Sequence, residues 1–240
     1  RLFLPIFSMI LVMLINVIYD VACGNMPLQF FVITIKNGVL YGRLIDVLNR
    51  GSEIAILAIG MTLVVSSSAG TDISVGSVMS LYAGVCCMIL AGYGNVNVSQ
   101  YAHPLLAGIL GGLAVTTICG LFNGLLVAYL NIQPMVATLI LWSAGRAIGL
   151  LLCNSQIVYV RVPSFQKLGA YTGIIPTPII VAAICIAIAA CVLKFTALGT
   201  YIQSVGINKR ASRIAGFNSA KIILLTYIIC GLCAGLAGMV

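Results

Sequence analysis

From Ile73 to Gly145 this chain contains no Asp, Glu, Lys or Arg. A water-facing surface needs charge, and soluble domains are about 25% charged. Here the 240 residues are 7% charged and 62% hydrophobic, with a mean hydropathy of +1.19. The apolar residues come in long unbroken runs. A membrane barrel would show short alternating segments instead. The chain is therefore expected to be all-α: a polytopic transmembrane helical bundle, one domain over residues 1–240.

About 20 apolar residues cross a bilayer, and seven runs qualify or nearly do. They are Leu2–Tyr19, Glu53–Val65, Ile73–Ala91, Leu105–Leu130, Met135–Leu152, Ile179–Leu193 and Ile222–Val240. The second is short unless the amphipathic stretch GRLIDVLNRGS (42–52) runs into it, and SSSAG (66–70) then breaks it. Residues 20–50, 92–104 and 153–178 read as loops, and Asn131-Ile132-Gln133-Pro134 as a tight turn. The first run is too long for a cleaved signal peptide and reads as a span. The chain starts at Arg1 and ends inside an apolar run, so it is expected to be a longer protein truncated at the C-terminal end. The pairs Gly108/Gly112, Gly120/Gly124 and Gly231/Gly235 have GxxxG spacing. Such pairs let backbones approach where lipid offers no hydrophobic drive between helices.

The net charge is +8. The acids, Asp20, Asp46, Glu53 and Asp72, all fall in the first 72 residues and are balanced there by Arg1, Lys36, Arg43 and Arg50. In a membrane protein the basic remainder fits contact with anionic membrane lipid, at about 1 kcal/mol per cation, and not nucleic acid. Nine cysteines and the lone His103 show no zinc spacing. The cysteines read as small hydrophobes within spans, so neither a metal nor a cofactor is expected.

The densest positive charge lies in the loop at 194–221, with Lys194, Lys209, Arg210, Arg213 and Lys221 and no carboxylate. Total counts on the two faces are even, because Lys36, Arg43, Arg50, Arg161 and Lys167 fall on the opposite one. Density beside the span ends puts this loop in the cytoplasm, together with Arg1, and puts 20–50 and 153–178 outside. Within it, INKRASRIAG reads as a helix with Ile207, Ala211 and Ile214 on one face. Gly216 stops it as a C′ glycine of positive φ would. A short helix held at a membrane surface is a docking element.

Three further features invite chemistry. Asp72 follows the Ser/Gly break, and at a bilayer centre a carboxylate costs about 2.5–3.5 kcal/mol. It needs a partner, either as a helix cap accepting from amides near Ser74 and Val75 or as a pathway residue. Arg146 stands alone in the fifth span, one turn after Trp142. It either snorkels or does functional work. Asn123, Gln133 and Thr138 lie in LFNGLLVAYLNIQPMVATLI.

These stretches resemble the permease subunits of bacterial sugar ABC transporters, the ribose/galactose/xylose group. The family's loop pattern is matched by Gly199, Tyr201, Ile202, Gly206, Asn208, Ala211, Arg213, Gly216 and Asn218, with Ser212 replacing an alanine. The family's L-A-I-G-M-T…D-L-S-V-G-S is matched through Asp72, Ser74, Val75, Gly76 and Ser77, but SSSAGT is a residue longer and lacks a glycine. YGRLIDVLNR (41–50), LNIQPMVATLIL (130–141), SQIV (155–158) and TALGT (196–200) are similar to the galactofuranose-type members.

The resemblance implies a bacterial inner-membrane subunit of a monosaccharide importer. It would work with a second permease subunit, an ABC ATPase and an extracytoplasmic sugar-binding protein. It implies a sugar route near Asp72, Ser74, Asn123, Thr138, Trp142 and Arg146. It also implies a coupling helix at the ATPase, using Ile207, Asn208, Arg210, Ala211, Arg213, Ile214 and Gly216. The sequence has no GxxxxGK[ST] phosphate loop, so ATP hydrolysis falls to the partner. The alternative is a secondary transporter or channel for a small polar solute. That reading wants paired intramembrane acids, and none follows Asp72. A membrane enzyme finds no acid/base pair here.

Overall fold

The computed structural model describes residues 3–22, 31–36, 39–92, 95–98, 100–169 and 175–240. Arg1, Pro27 and residues 170–174, which the sequence reading placed on one face or the other, lie outside the described residues.

The elements follow the apolar runs. Helix α1 (Phe3–Ala22) leads to a small antiparallel hairpin of β1 (Thr34–Lys36) and β2 (Val39–Tyr41). Helix α2 (Arg43–Ser68) and helix α3 (Val75–Ala91) flank the break, followed by strand β3 (Asn97–Val98) and helices α4 (Leu105–Ala128) and α5 (Pro134–Leu152). Strand β4 (Tyr159–Val160), helix α6 (Pro163–Gly169) and helix α7 (Thr177–Phe195) come next. The basic loop carries α8 (Leu198–Ile207) and α9 (Lys209–Ile214), and α10 (Ser219–Met239) ends the chain. Helices α2, α4, α5, α7 and α10 are long and apolar enough to cross a membrane, with shorter apolar stretches at Ile6–Ala22 and Val75–Ala91.

The amphipathic stretch at 42–52 and the second span form one helix of 26 residues. No proline interrupts it, and at 1.5 Å per residue it is about 39 Å long, enough to cross. The loop read at 153–178 contains helix α6, and β3 pairs in parallel with β4. That pairing brings the segments after α3 and α5 to the same end of the bundle. The opposite end gathers the break, the turn at 131–134, α8 and α9.

The core lies where α10 meets α4, α2 and α3. Tyr227, Val64, Ile56 and Leu90 are fully buried there. Gly120/Gly124 of α4 and Gly231/Gly235 of α10 face each other, while Gly108/Gly112 of α4 pack on Leu90 and Tyr82 of α3. A Cβ on Gly120 would stand 2.5 Å from the Tyr227 carbonyl oxygen, and one on Gly231 would stand 2.5 Å from that of Thr116. Those separations are far inside van der Waals contact, so the helices touch backbone to backbone. Helix α1 lies outside this core, with Phe3, Leu4, Ile10, Leu14 and Ile18 exposed. It is tied to α2 by an ion pair from Arg43 Nη1 to the fully buried Asp20 Oδ1, at 2.8 Å.

Candidate functional site

The break between α2 and α3 is built from hydroxyls. Ser68 Oγ donates to the Val64 carbonyl at 2.8 Å, turning back on its own helix. Ser67 Oγ and Thr226 Oγ1 share a hydrogen bond of 2.8 Å, which pins the end of α2 to α10. Helix α2 then closes with Ala69 in the left-handed region at φ 56°, its N–H on the Val65 carbonyl. An alanine there bears a strain of about 1–2 kcal/mol that a glycine would avoid. This is what the missing glycine of SSSAGT means structurally. Gly70 follows, packed so closely on Pro134 that a Cβ would stand 2.5 Å from the ring.

Asp72, 5% exposed, has its partner two residues on. Its Oδ1 accepts from the Ser74 N–H at 2.8 Å and from Ser74 Oγ at 2.6 Å. The sequence reading offered Asp72 as a helix cap, but the N-cap of α3 is Ser74, which makes no side-chain cap bond. Asp72 instead closes a local turn on Ser74, ahead of the first helical residue, Val75. Asn123 Nδ2 on α4 donates to Ser74 Oγ at 2.9 Å. Thr138 Oγ1 on α5 accepts from the Ile73 N–H at 3.2 Å. Ser77 Oγ donates to the Ser74 carbonyl at 2.7 Å. Asp72, Ser74, Asn123 and Thr138 thus form one buried cluster that ties the break to α4 and α5. Asn123 Oδ1 is buried without a hydrogen-bond partner among the described residues.

The cluster lies toward the end of the bundle that carries the break, not at mid-span. Asn123 is five residues before the end of α4 and Thr138 four after the start of α5. At 1.5 Å per residue both sit about 6–8 Å inside the helix ends.

Trp142 and Arg146 belong elsewhere. Both are exposed on the outer face of α5. With Gly76, Ser77 and Ser80 of α3 they border a pocket of about 290 Å³. It continues past Ser80 and Arg146 into a recess of about 370 Å³ beside Gly84, Cys87, Gly149 and Gln156. No carboxylate among the described residues pairs with Arg146. The six residues read as one route therefore divide into a buried cluster of four and an open face of two. Ser77 joins them, bonding Ser74 while bordering the pocket. Ser80 borders both hollows, and no sequence signal sets it apart from the other serines of spans.

The basic loop departs from the single helix expected at 207–217. Asn208 stands extended at φ −155°, ψ 103° and divides α8 from α9. Its side-chain oxygen accepts from the Arg210 and Ala211 N–H groups at 3.0 and 3.1 Å. That is an N-cap, and it overrides the apolar periodicity that joined Ile207 to Ala211 and Ile214. Ile207 consequently ends α8. The C-terminal stop is as expected. Gly216 has φ +88°, its N–H bonds the Arg213 carbonyl, and the Phe217 N–H bonds the Ser212 carbonyl at 2.9 Å, which is a Schellman closure. Phe217 folds back on Tyr201, with ring centroids 4.7 Å apart. Ile202, which matched the family's loop pattern, and Val205, which the sequence reading did not single out, are 2% and 0% exposed and seat α8 on the bundle. Ile207 and Ile214 are 86% and 89% exposed, flanking Lys209, Arg210, Ala211 and Arg213, all exposed.

Known proteins with this pattern are transport permeases. Residues 43–240 match the family described as branched-chain amino acid transport system / permease component. The chain belongs to this permease family. It is 41% identical over 214 residues to the galactofuranose transporter permease protein YtfT of Escherichia coli (strain K12), covering 88% of this chain and 60% of that protein. It is 35% identical over 209 residues to the fructose import permease protein FruF of Bifidobacterium longum (strain NCC 2705), covering 85% and 56%. It is 33% identical over 203 residues to the ribose import permease protein RbsC of Escherichia coli (strain K12), covering 82% and 60%. This permease chain thus spans about three-fifths of the length of these relatives. No solved structure matches it. The permease is a multi-pass protein of the inner membrane, in keeping with its five span-length helices.

Proposed function

We propose that this permease forms part of the translocation pathway of an ATP-binding-cassette importer for a monosaccharide, galactofuranose or a sugar like it. The observation that carries the reading is the basic loop. Between α7 and α10, Ile207 and Ile214 stand almost wholly exposed beside three cations, Lys209, Arg210 and Arg213, and no acid. Apolar side chains held this way, Ile207 at the end of α8 and Ile214 on the capped, Schellman-closed α9, suit burial against a soluble partner, with the cations steering the approach. The partner proposed is the cytoplasmic ATPase, which supplies the hydrolysis. Residues 194–221 face the cytoplasm, and 20–50 and 153–178 face outside.

The open face of α3 and α5 is the proposed half of the sugar route. It presents an indole face, a guanidinium and serine hydroxyls, which suit a polyhydroxylated ring. A second permease subunit supplies the other half, and an extracytoplasmic sugar-binding protein delivers the sugar. The buried cluster of Asp72, Ser74, Asn123 and Thr138 shapes the inner end of this route.

Reconstitution of the complete permease with its ATPase and binding protein in liposomes tests the reading. Uptake of labelled galactofuranose, ribose or fructose that requires ATP on the ATPase side is the expected result. Uptake driven by an ion gradient without ATP would replace it with a secondary transporter.

A further inference from the structure

The tightest approach of the basic loop to the bundle lies at a residue with no side chain. Gly206, one residue before the end of α8, rests on the last turn of α2. A Cβ there would collide with the Ser66 carbonyl oxygen and lie 3.1 Å from the Ser66 carbonyl carbon. The flanking Ile202 and Val205 are buried, so α8 can neither rotate nor slide at this point without moving α2. A contact made by side chains has rotamers in which a small displacement can be lost. Backbone against backbone has none, and packed interiors transmit displacement rather than absorb it.

What lies beyond Ser66 makes the contact consequential. Ser67 holds Thr226 of α10, Ala69 turns left-handed, Gly70 presses on Pro134 of α5, and Asp72 bonds Ser74, which holds Asn123 of α4. Within eight residues of Ser66 the chain reaches α10, α5 and α4. We infer that the Gly206–Ser66 contact is where displacement of the basic loop enters the membrane bundle. From there it passes through the non-helical residues 69–74 to the Asp72–Ser74–Asn123 cluster. Gly206 is on this account a positioning residue of transport, requiring the absence of a Cβ. The inference rests on the proposed function and adds the route by which the ATPase acts.

The test uses the complete permease with its ATPase and compares Gly206→Ala with wild type. ATPase co-purification should stay within about twofold of wild type, while ATP-driven uptake falls at least tenfold. Hydrogen exchange with and without ATP reads the route itself. In wild type, amides of 66–74 and of 200–216 should change protection together. In Gly206→Ala the change at 200–216 should persist and the change at 66–74 should vanish, which a merely structural role would not produce. Should the variant fail to assemble, the wild-type exchange decides alone. A response at 200–216 with none at 66–74 overturns the inference, as does uptake by the variant within twofold of wild type. A wild-type permease that recruits no ATPase would count against the proposed function instead.

Discussion

The break at 66–74 and the loop at 198–217 invert each other. In the break, polar side chains are buried within an apolar protein, and they bond one another: Asp72 to Ser74, Ser74 to Asn123, Thr138 to the Ile73 amide. In the loop, Ile207 and Ile214 are exposed at a charged surface with nothing to cover them. The first region is satisfied internally but for Asn123 Oδ1, because an unpaired polar group away from water costs several kcal/mol. The second is left open, and on the proposed reading a partner completes it. A change in the break should therefore show as stability, and a change in the loop as association.

The sharpest way to break that contrast is to charge the loop. Replacing Ile207 and Ile214 together by Glu should leave the bundle folded, since neither side chain is packed against it. If each isoleucine buries its side chain on the ATPase, the pair contributes on the order of 3 kcal/mol, about a hundredfold in affinity. Titrating the ATPase onto permease in nanodiscs measures this. A thermal shift in the isolated permease with unchanged ATPase binding would reverse the assignment.

Thr138→Val asks the opposite question. The side chain keeps its shape but loses the oxygen that accepts from the half-buried Ile73 amide. An orphaned buried donor costs about 1–3 kcal/mol, so the melting temperature in detergent should fall while ATPase binding holds. Asp72 then separates turn from charge. Asp72→Ala should destabilise by about 1–3 kcal/mol by leaving the buried Ser74 amide without its acceptor, and Asp72→Asn by less, because asparagine closes the same turn. Transport abolished by Asn in a folded, assembled permease would show that the carboxylate matters beyond the turn.

The long elements were legible because hydrocarbon demands long apolar helices, and the runs from Leu105, Met135, Ile179 and Ile222 became α4, α5, α7 and α10 with ends shifted by a few residues. The bond from the Ser74 amide to Asp72 was legible because a short acceptor before a helix start has a local target, but it closes a turn and the cap position itself falls to Ser74. What the sequence hid was set by tertiary placement. Nothing in the spacing of Trp142 and Arg146 says that α5 turns them outward while Thr138, one turn earlier, turns inward. The loop misled for a different reason. Ile207, Ala211 and Ile214 keep helical period across Asn208, and period alone cannot register a cap that ends one helix and starts the next.

The smallest effect expected lies at Gly216, where the contrast between the two regions can be drawn most finely. Ala69 in the break and Gly216 in the loop both occupy the left-handed region, at φ 56° and φ 88°. The break tolerates alanine there because hydroxyl bonds and the press of Gly70 on Pro134 hold it in place. The loop is held by the Schellman bonds of Gly216 and Phe217 and by the Phe217 ring on Tyr201, with no hydroxyl bond to the bundle at Gly216 itself. A Cβ on Gly216 would meet nothing within 4 Å, so Gly216→Ala carries a conformational cost alone, about 1 kcal/mol. Asn, which visits this region more readily, should cost less, and Val more. If the turn aims α9 at the ATPase, recruitment should weaken in the order Asn, Ala, Val while the melting temperature of the bundle stays flat. Recruitment that ignores this order would mean α9 docks without the turn, and that Arg210 and Arg213 find the partner by charge alone.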